Sequence, residues 1–193
     1  FPCAKMKRGV EAKYEHILIA ARVGRRKKRH ALMSLKLSGL RDDAIDYAAT
    51  SDVVVVASAG NDNRTFVGQP GNHPEAIAVS AMDFARNRAP YSNRGVAVDL
   101  GAPGGNTGAD LSGDGFVDGV LQETFNSNGV WGYYYYQGTS MAAPHVTGAV
   151  GLLRSCVPQA TRADVRAALE STADDLGTAG FDTTYGNGFL QIR

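Results

Sequence analysis

Residues 138 to 146 read Gly138-Thr139-Ser140-Met141-Ala142-Ala143-Pro144-His145-Val146. A polar turn with a glycine leads straight into a serine, and small apolar residues then continue as far as Leu153. This pattern predicts a helix with little polar surface, buried on most of its sides. Pro144 is expected in its first turn, where backbone N–H groups have no partner inside the helix. Ser140 is then either an ordinary N-cap or a serine displayed at a helix N-terminus, where a developing negative charge is favoured.

A second informative segment lies upstream of this helix. The β-branched run from Val53 to Ala57 predicts a parallel strand covered on both faces, and residues 41–50 before it have the apolar spacing of a helix. The strand ends in the turn Ser58-Ala59-Gly60-Asn61-Asp62. Open parallel sheets bind ligands at the carboxyl ends of their strands. Asn61 is therefore either a turn asparagine beside a glycine or a neutral donor in a site.

Other elements follow from hydrophobic spacing. Further strands are predicted at residues 32–37, 77–81, 96–100 and 131–137. The strand at 77–81 alternates as a half-buried strand does, whereas the run Tyr133-Tyr134-Tyr135-Tyr136 is expected to pack aromatic rings on both faces. The segment Thr161-Arg162-Ala163-Asp164 predicts a helix that begins with a capping box and ends near Gly177. Strand, helix and strand in succession form a right-handed crossover unit.

The segment from Gly138 to Val146 resembles the nucleophile motif of the subtilisin-like serine proteases, the subtilases. The residues Val56-Ala57-Ser58-Ala59-Gly60-Asn61 look like the segment that carries the oxyanion-hole asparagine of that family, and Tyr91-Ser92-Asn93-Arg94-Gly95 resembles a family turn. The resemblance covers about residues 31–192, which is most of the chain, and corresponds to the C-terminal part of a subtilase catalytic domain. It implies a subtilisin-like three-layer α/β fold with a mostly parallel sheet, incomplete at the N-terminal side.

The same resemblance implies a chemistry. Ser140 would be the nucleophile of a serine endopeptidase that hydrolyses peptide bonds of polypeptides by acyl transfer. Asn61 and the backbone N–H of Ser140 would hold the tetrahedral oxyanion, and a side-chain amide suits this role because it donates without being titrated. No cofactor would be required for the reaction. The resemblance also implies a secreted or extracytoplasmic protein, although the chain contains no recognisable signal peptide.

Two parts of a subtilase triad are missing from the sequence. The family uses Asp, His and Ser in that chain order, and the Asp and His motifs belong before residue 31, where neither is found. The histidines are His16, His30, His73 and His145, and His145 is interpreted as a packing residue that points away from Ser140. Without a general base a serine hydroxyl is a weak nucleophile. We expect the isolated chain to be inactive. The alternative is a non-catalytic subtilase-like domain that binds peptide or calcium.

One acidic loop could hold a metal. Its oxygens fall at alternate positions, on Asp110, Ser112, Asp114, the carbonyl of Phe116, and Asp118. This spacing is that of the front half of a calcium loop, but Leu121 stands where a bidentate acid would close an EF-hand loop. The loop is either a structural calcium site or an acidic, glycine-rich surface turn.

Charge divides the chain into two parts. Residues 1–30 carry ten Lys/Arg and two Asp/Glu, a net charge of +8, whereas residues 31–193 carry a net charge of −7. The run Arg25-Arg26-Lys27-Lys28-Arg29-His30 is a nucleic-acid or localisation patch, a processing site, or part of a poorly ordered tail. We expect the tail, so nucleic acid is not an expected partner. No apolar stretch is long enough for a membrane helix. Cys3 and Cys156 are expected to be free thiols.

Overall fold

A computed structural model of the chain describes residues 38–192. Within them the elements are α1 (Ser38–Thr50), β1 (Val55–Ser58), β2 (Ala76–Met82), β3 (Leu100–Pro103), β4 (Val120–Phe125), β5 (Trp131–Tyr136), α2 (Thr139–Cys156) and α3 (Arg162–Ser171). The predicted basic segment 1–30 and the predicted strand at 32–37 lie outside the described residues.

Three parallel strands form the central sheet of the described chain, in the order β1-β2-β3. Every residue of β2 is buried, so the prediction of an alternating, half-buried strand at 77–81 is wrong. β2 is the middle strand and is covered on both faces, which its small and β-branched residues suit. The sheet is therefore parallel, as predicted, but its core strand is more deeply buried than its sequence pattern indicated.

Helices cover both faces of this sheet. Ile45 of α1 belongs to one buried cluster with Val55 of β1. Leu100 of β3 belongs to a larger cluster with Val146 of α2 and Val165 of α3. Neighbouring residues of a strand point to opposite faces, and the two clusters accordingly lie on opposite sides of the sheet. The arrangement is the predicted three-layer α/β fold.

Helix α2 covers the sheet with one face only. Its buried residues are Thr139, Ala142, Val146 and Ala149, three or four positions apart as one helical stripe requires. Gly151 and Leu152 are exposed, so the predicted burial on most sides is wrong. The predicted position of Pro144 in the first turn is also wrong, because Pro144 is the sixth residue of α2. Its ring nitrogen therefore leaves one helical hydrogen bond unmade.

The boundaries of β3 differ from the predicted strand at 96–100. β3 begins at Leu100 because the N–H of Val98 turns back onto the carbonyl of Gly95, at 3.0 Å, as in a turn. The strand then continues to Pro103, beyond the predicted end at residue 100.

The start of α3 is as predicted, but its end is not. The hydroxyl of Thr161 accepts the N–H of Asp164, whose carboxylate accepts the N–H of Thr161, which is a capping box. The helix ends at Ser171, well before Gly177. The chain leaves the helix early because the following segment pairs with the C-terminal segment through the bridge between Asp174 and Phe189.

The tyrosine run lies in a two-stranded antiparallel hairpin of β4 and β5, separate from the central sheet. Tyr133 and Tyr135 are exposed, whereas Tyr134 and Tyr136 are half-buried. The expected packing of aromatic rings on both faces is therefore wrong, because a two-stranded hairpin is covered on one face at most.

The state of the cysteines differs from the prediction. Cys156 is disulfide-bonded, and its partner lies outside the described residues, so the prediction of free thiols is wrong.

Among residues 38–192, no helix has the length and apolar character that crossing a membrane requires.

Candidate active site

The carboxyl ends of the parallel strands meet the beginning of α2. β1 leads into the turn that carries Asn61, and β3 leads into Gly104. The carbonyl of Gly104 accepts the N–H of Gly138, the residue before α2, at 2.9 Å. This edge of a parallel sheet is where such folds bind ligands, and it brings Asn61 close to Ser140.

Asn61 is held through its side-chain oxygen. The backbone N–H and the hydroxyl of Thr139 both donate to Oδ1 of Asn61, at 2.9 and 2.8 Å. A backbone N–H can only donate, so the atom that faces it must be the amide oxygen, and the NH₂ group points the other way. Nδ2 of Asn61 lies 3.5 Å from the point that a Cβ on Gly138 would occupy. Within residues 38–192, Nδ2 has no hydrogen-bond partner.

Thr139 links the two ends of this arrangement. It is fully buried, and its hydroxyl accepts the N–H of Gly60 at 3.2 Å while it donates to Asn61. One side chain thereby ties the turn after β1 to the first residue of α2. A buried hydroxyl with both roles satisfied fixes the relative positions of its partners.

Ser140 is the second residue of α2 and is exposed. The N-cap is Gly138, with no side-chain cap bond, so Ser140 is not an ordinary capping serine. Its hydroxyl makes no hydrogen bond to any described residue. The N–H groups of the first helical turn point out of the helix beside it, and the helix dipole favours negative charge at this end. A serine oxygen and an amide donor thus stand at one exposed helix start.

Neither described histidine is placed to accept the proton of Ser140. His145 lies five residues further along the helix, roughly 140° around its axis, and its Nδ1 is 2.9 Å from the carbonyl of Met141. Nδ1 of His73 accepts the N–H of Glu75 at 3.2 Å, and its Nε2 is 3.6 Å from a carboxylate oxygen of Asp46. His16 and His30 lie outside the described residues.

Asn93 supports the turn that carries Asn61, a role that was not predicted from the sequence. Asn93 is 3% exposed. Its Oδ1 accepts the N–H groups of Asp62 and Arg64, at 3.0 and 2.9 Å, and its Nδ2 donates to the carbonyl of Ala59 at 3.1 Å. The turn at 91–95 was visible in the sequence, but nothing local indicated which distant backbone groups its asparagine would meet.

Tyr91 was missed for the same reason. Its hydroxyl lies 2.9 Å from the carbonyl of Gly104 and 2.7 Å from that of Gly105, within reach to donate to either. Because the carbonyl of Gly104 also accepts the N–H of Gly138, Tyr91 supports the start of α2 through one intermediate residue. Burial of the ring raises the pKa of Tyr91 to about 12.

The predicted calcium loop closes on its own backbone. The carboxylate of Asp110 accepts the N–H groups of Gly113 and Gly115, and that of Asp118 accepts the N–H of Ser112. Asp114 accepts the N–H of Phe116. No three acidic, histidine or cysteine side chains of the described chain come together as a metal-holding group. Calcium binding by this loop stays a prediction from the sequence.

Comparison with known proteins assigns the chain to a family. A family model, that of the Subtilase family, matches residues 24–188. Subtilisin from Bacillus pumilus is 38% identical over 153 residues, which are 77% of this chain and 48% of that protein. Subtilisin E from Bacillus subtilis (strain 168) is 37% identical over 153 residues, 77% of this chain and 35% of that protein. The chain thus spans about half, or less, of the length of these relatives.

Solved structures agree with the sequence matches. A lanthipeptide protease has a TM-score of 0.67 at 30% identity, over 80% of this chain and 53% of that one. A protease of Pseudoalteromonas arctica PAMC 21717 has a TM-score of 0.66 at 35% identity, over 77% of this chain and 43% of that one. With the parallel sheet and the serine at the start of α2, these similarities show that the chain belongs to the subtilase family.

Proposed function

We propose that the chain is the C-terminal part of a serine endopeptidase domain whose nucleophile is Ser140. The observation that carries this proposal is the pair of hydrogen bonds from Thr139 to Oδ1 of Asn61. The pair fixes Oδ1 of Asn61 on Thr139 and leaves Nδ2 beside Gly138, two residues before the exposed Ser140. In acyl transfer, Nδ2 of Asn61 and the backbone N–H of Ser140 would donate to the oxyanion of the tetrahedral intermediate.

The donors are suited to a charge that develops during the reaction. Neither an amide side chain nor a backbone N–H titrates, so both stay donors at any working pH. Thr139 holds Asn61 in place before a substrate arrives, so little reorganisation is needed when the charge forms. No metal or cofactor takes part in this chemistry.

We further propose that the chain by itself does not hydrolyse peptides. When the hydroxyl of Ser140 attacks a carbonyl, its proton must pass to a base and then to the leaving amine. Neither His73 nor His145 is oriented toward Ser140, and the family's Asp and His motifs are absent from the sequence. A working site would need these groups from protease sequence that this chain does not carry. The substrate would be a polypeptide, and the family resemblance favours a secreted or extracytoplasmic location.

A fluorophosphonate probe tests this proposal. Attack by Ser140 would form a serine–phosphorus bond and release fluoride and a proton, and the proton needs a base. We expect no adduct on the chain alone by intact mass, and slow labelling of Ser140 when free imidazole is supplied as the base. Ser140→Ala is the matched control. Rapid labelling of Ser140 without imidazole would contradict the predicted inactivity, and equal labelling of the Ser140→Ala variant would contradict the assignment of the nucleophile.

A further inference from the structure

We propose that Asn93 is a positioning residue of the oxyanion site, which it serves by fixing the turn that carries Asn61. The inference rests on the proposed function of Asn61, but the geometry that supports it is independent of that function. Asn93 itself would touch neither substrate nor oxyanion. It acts through the backbone on both sides of Asn61.

The hydrogen bonds of Asn93 bracket Asn61 along the chain. Before Asn61, Nδ2 of Asn93 donates to the carbonyl of Ala59 at 3.1 Å, and its backbone N–H donates to the carbonyl of Gly60 at 2.9 Å. After Asn61, Oδ1 of Asn93 accepts the N–H of Asp62 at 3.0 Å. Four consecutive residues are thus held, three of them by Asn93, while the side chain of Asn61 remains exposed and held by Thr139 alone.

Gly60 shows how closely Asn93 approaches this turn. A Cβ built on Gly60 would lie 2.4 Å from Nδ2 of Asn93, too close for any side chain. Gly60 also has a φ of +106°, which glycine adopts without strain. The glycine before Asn61 therefore makes room for the amide of Asn93 as well as for the turn.

The two supports act on different parts of Asn61. Thr139 orients its side chain, and Asn93 holds the backbone before and after it. Without Asn93, the N–H groups of Asp62 and Arg64 lose a buried acceptor, and the turn gains freedom to move away from Thr139. Nδ2 of Asn61 would then no longer be held beside Gly138.

Ser92 provides a matched control. It precedes Asn93 in the same turn and is fully buried. Its hydroxyl accepts the N–H of Ala81 in β2 at 2.9 Å and donates to the backbone carbonyl of Asn93 at 3.1 Å. Ser92→Ala therefore removes buried hydrogen bonds of a similar kind, but none from the backbone of residues 59–64. A merely structural role for Asn93 predicts similar effects of Ser92→Ala and Asn93→Ala.

Amide hydrogen exchange and NMR spectra of the full chain test the proposal. The N–H of Thr139 reports its bond to Asn61, and the N–H of Val146 in the buried stripe of α2 serves as reference. In Asn93→Ala, protection of Thr139 is expected to fall about tenfold more than that of Val146, and the side-chain NH₂ signals of Asn61 should shift toward those of a mobile amide. In Ser92→Ala, Thr139 and Val146 should change together. Equal losses at both amides in Asn93→Ala would overturn the proposal.

The wild-type chain offers a second measurement that requires no variant to fold. If Asn93 joins these segments in one cooperative unit, the amides of Asp62, Arg64 and Thr139 should open with the same free energy and the same denaturant dependence. Separate opening of Thr139 would overturn the proposal. Amide hydrogen exchange reports the position of Asn61 whether or not Asn61 binds an oxyanion. This test can therefore fail while the proposed function stands, and the proposed function can fail while this test succeeds.

Discussion

Thr139 gives two hydrogen bonds to a single atom, Oδ1 of Asn61, across a sequence separation of 78 residues. The contact decides the orientation of the amide, because only the oxygen of a side-chain amide can accept from a backbone N–H. It also joins the end of β1 to the start of α2. The proposed oxyanion donor is thus set by the fold before any ligand is present, as a preorganised site requires.

The hydroxyl of Thr139 is expected to contribute measurably to stability. Thr139→Val keeps the shape of the side chain but leaves the N–H of Gly60 without its acceptor in a part-buried position. We expect a loss of about 1–3 kcal/mol in the free energy of unfolding, measured by urea denaturation. Thr139→Ser keeps the hydroxyl and should lose less. A larger loss in Thr139→Ser than in Thr139→Val would mean that packing of the methyl group, and not the hydroxyl, matters here.

Tyr91 is expected to make the fold sensitive to alkaline pH. Its pKa is raised to about 12 by burial, so the folded chain holds the phenolic proton more tightly than the unfolded chain does. The stability that neutral Tyr91 contributes is therefore complete below about pH 10 and is lost as the pH rises toward about 12. Because Tyr91 is only half-buried, we expect a loss of about 1 kcal/mol, less than the shift alone would imply.

Denaturation midpoints measured between pH 9 and pH 12 check this prediction, because an unperturbed tyrosine titrates near pH 10. Tyr91→Phe has no phenol at this position, so part of the alkaline loss of stability should disappear in the variant. A pH dependence identical to that of the wild-type chain would show that the pKa of Tyr91 is the same in the folded and unfolded states.

Arg166 forms the most enclosed ion-pair group of the described chain. It contacts the carboxylates of Asp99 and Glu170, and its guanidinium donates to the carbonyl of Pro74 at 3.0 Å. The side chain of Asp99 is 15% exposed, and burial raises its pKa although the N–H of Ala78 and Arg166 oppose the shift. Arg166→Met would leave Asp99 without its cation, and we expect a loss of about 3 kcal/mol in stability.

Arg154→Met is the matched control for this ion pair. Arg154 binds the carboxylate of Asp52 at 2.8 Å, but the Asp52 side chain is 48% exposed, so we expect a much smaller loss of stability. Lowering the pH should narrow the difference between Arg166→Met and the wild-type chain, because Asp99 becomes neutral. Similar losses in the two variants at neutral pH would contradict the argument from burial.

Calcium binding by the loop at 110–118 can be decided by melting temperature. The carboxylates of Asp110 and Asp118 already accept backbone N–H groups of the loop. We expect the melting temperature to be the same with a chelator and with excess Ca²⁺. A rise with Ca²⁺ that Asp110→Asn removes would contradict this expectation and would establish the loop as a calcium site.

Local patterns predicted what depends on neighbours in the chain. The capping box of Thr161 and Asp164 needs only a spacing of three residues, and the β-branched run before Ser58 predicts a strand by itself. The exposed Ser140 at the start of a helix was also predictable, since a glycine and a run of small residues surround it. Each of these features is decided within one turn or one strand.

Features that depend on distant contacts could not be predicted. The burial of β2 depends on its two neighbouring strands and on the helices over both faces of the sheet, and the exposure of Tyr133 depends on which face of its hairpin is covered. Asn93 carries no local sign that its amide meets Ala59, Asp62 and Arg64. The end of α3 at Ser171 is likewise decided by pairing with Phe189, which the helical pattern itself does not include.

Binding of phenylboronic acid, followed by ¹¹B NMR, tests the pairing of Ser140 with Asn61 most directly. Addition of the Ser140 oxygen to boron releases a proton to solvent and gives a tetrahedral boronate that mimics the oxyanion, without any histidine. We predict a tetrahedral signal with the wild-type chain, weaker binding with Asn61→Ala, and no signal with Ser140→Ala. A tetrahedral signal of equal strength in Ser140→Ala, or unchanged affinity in Asn61→Ala, would contradict the account.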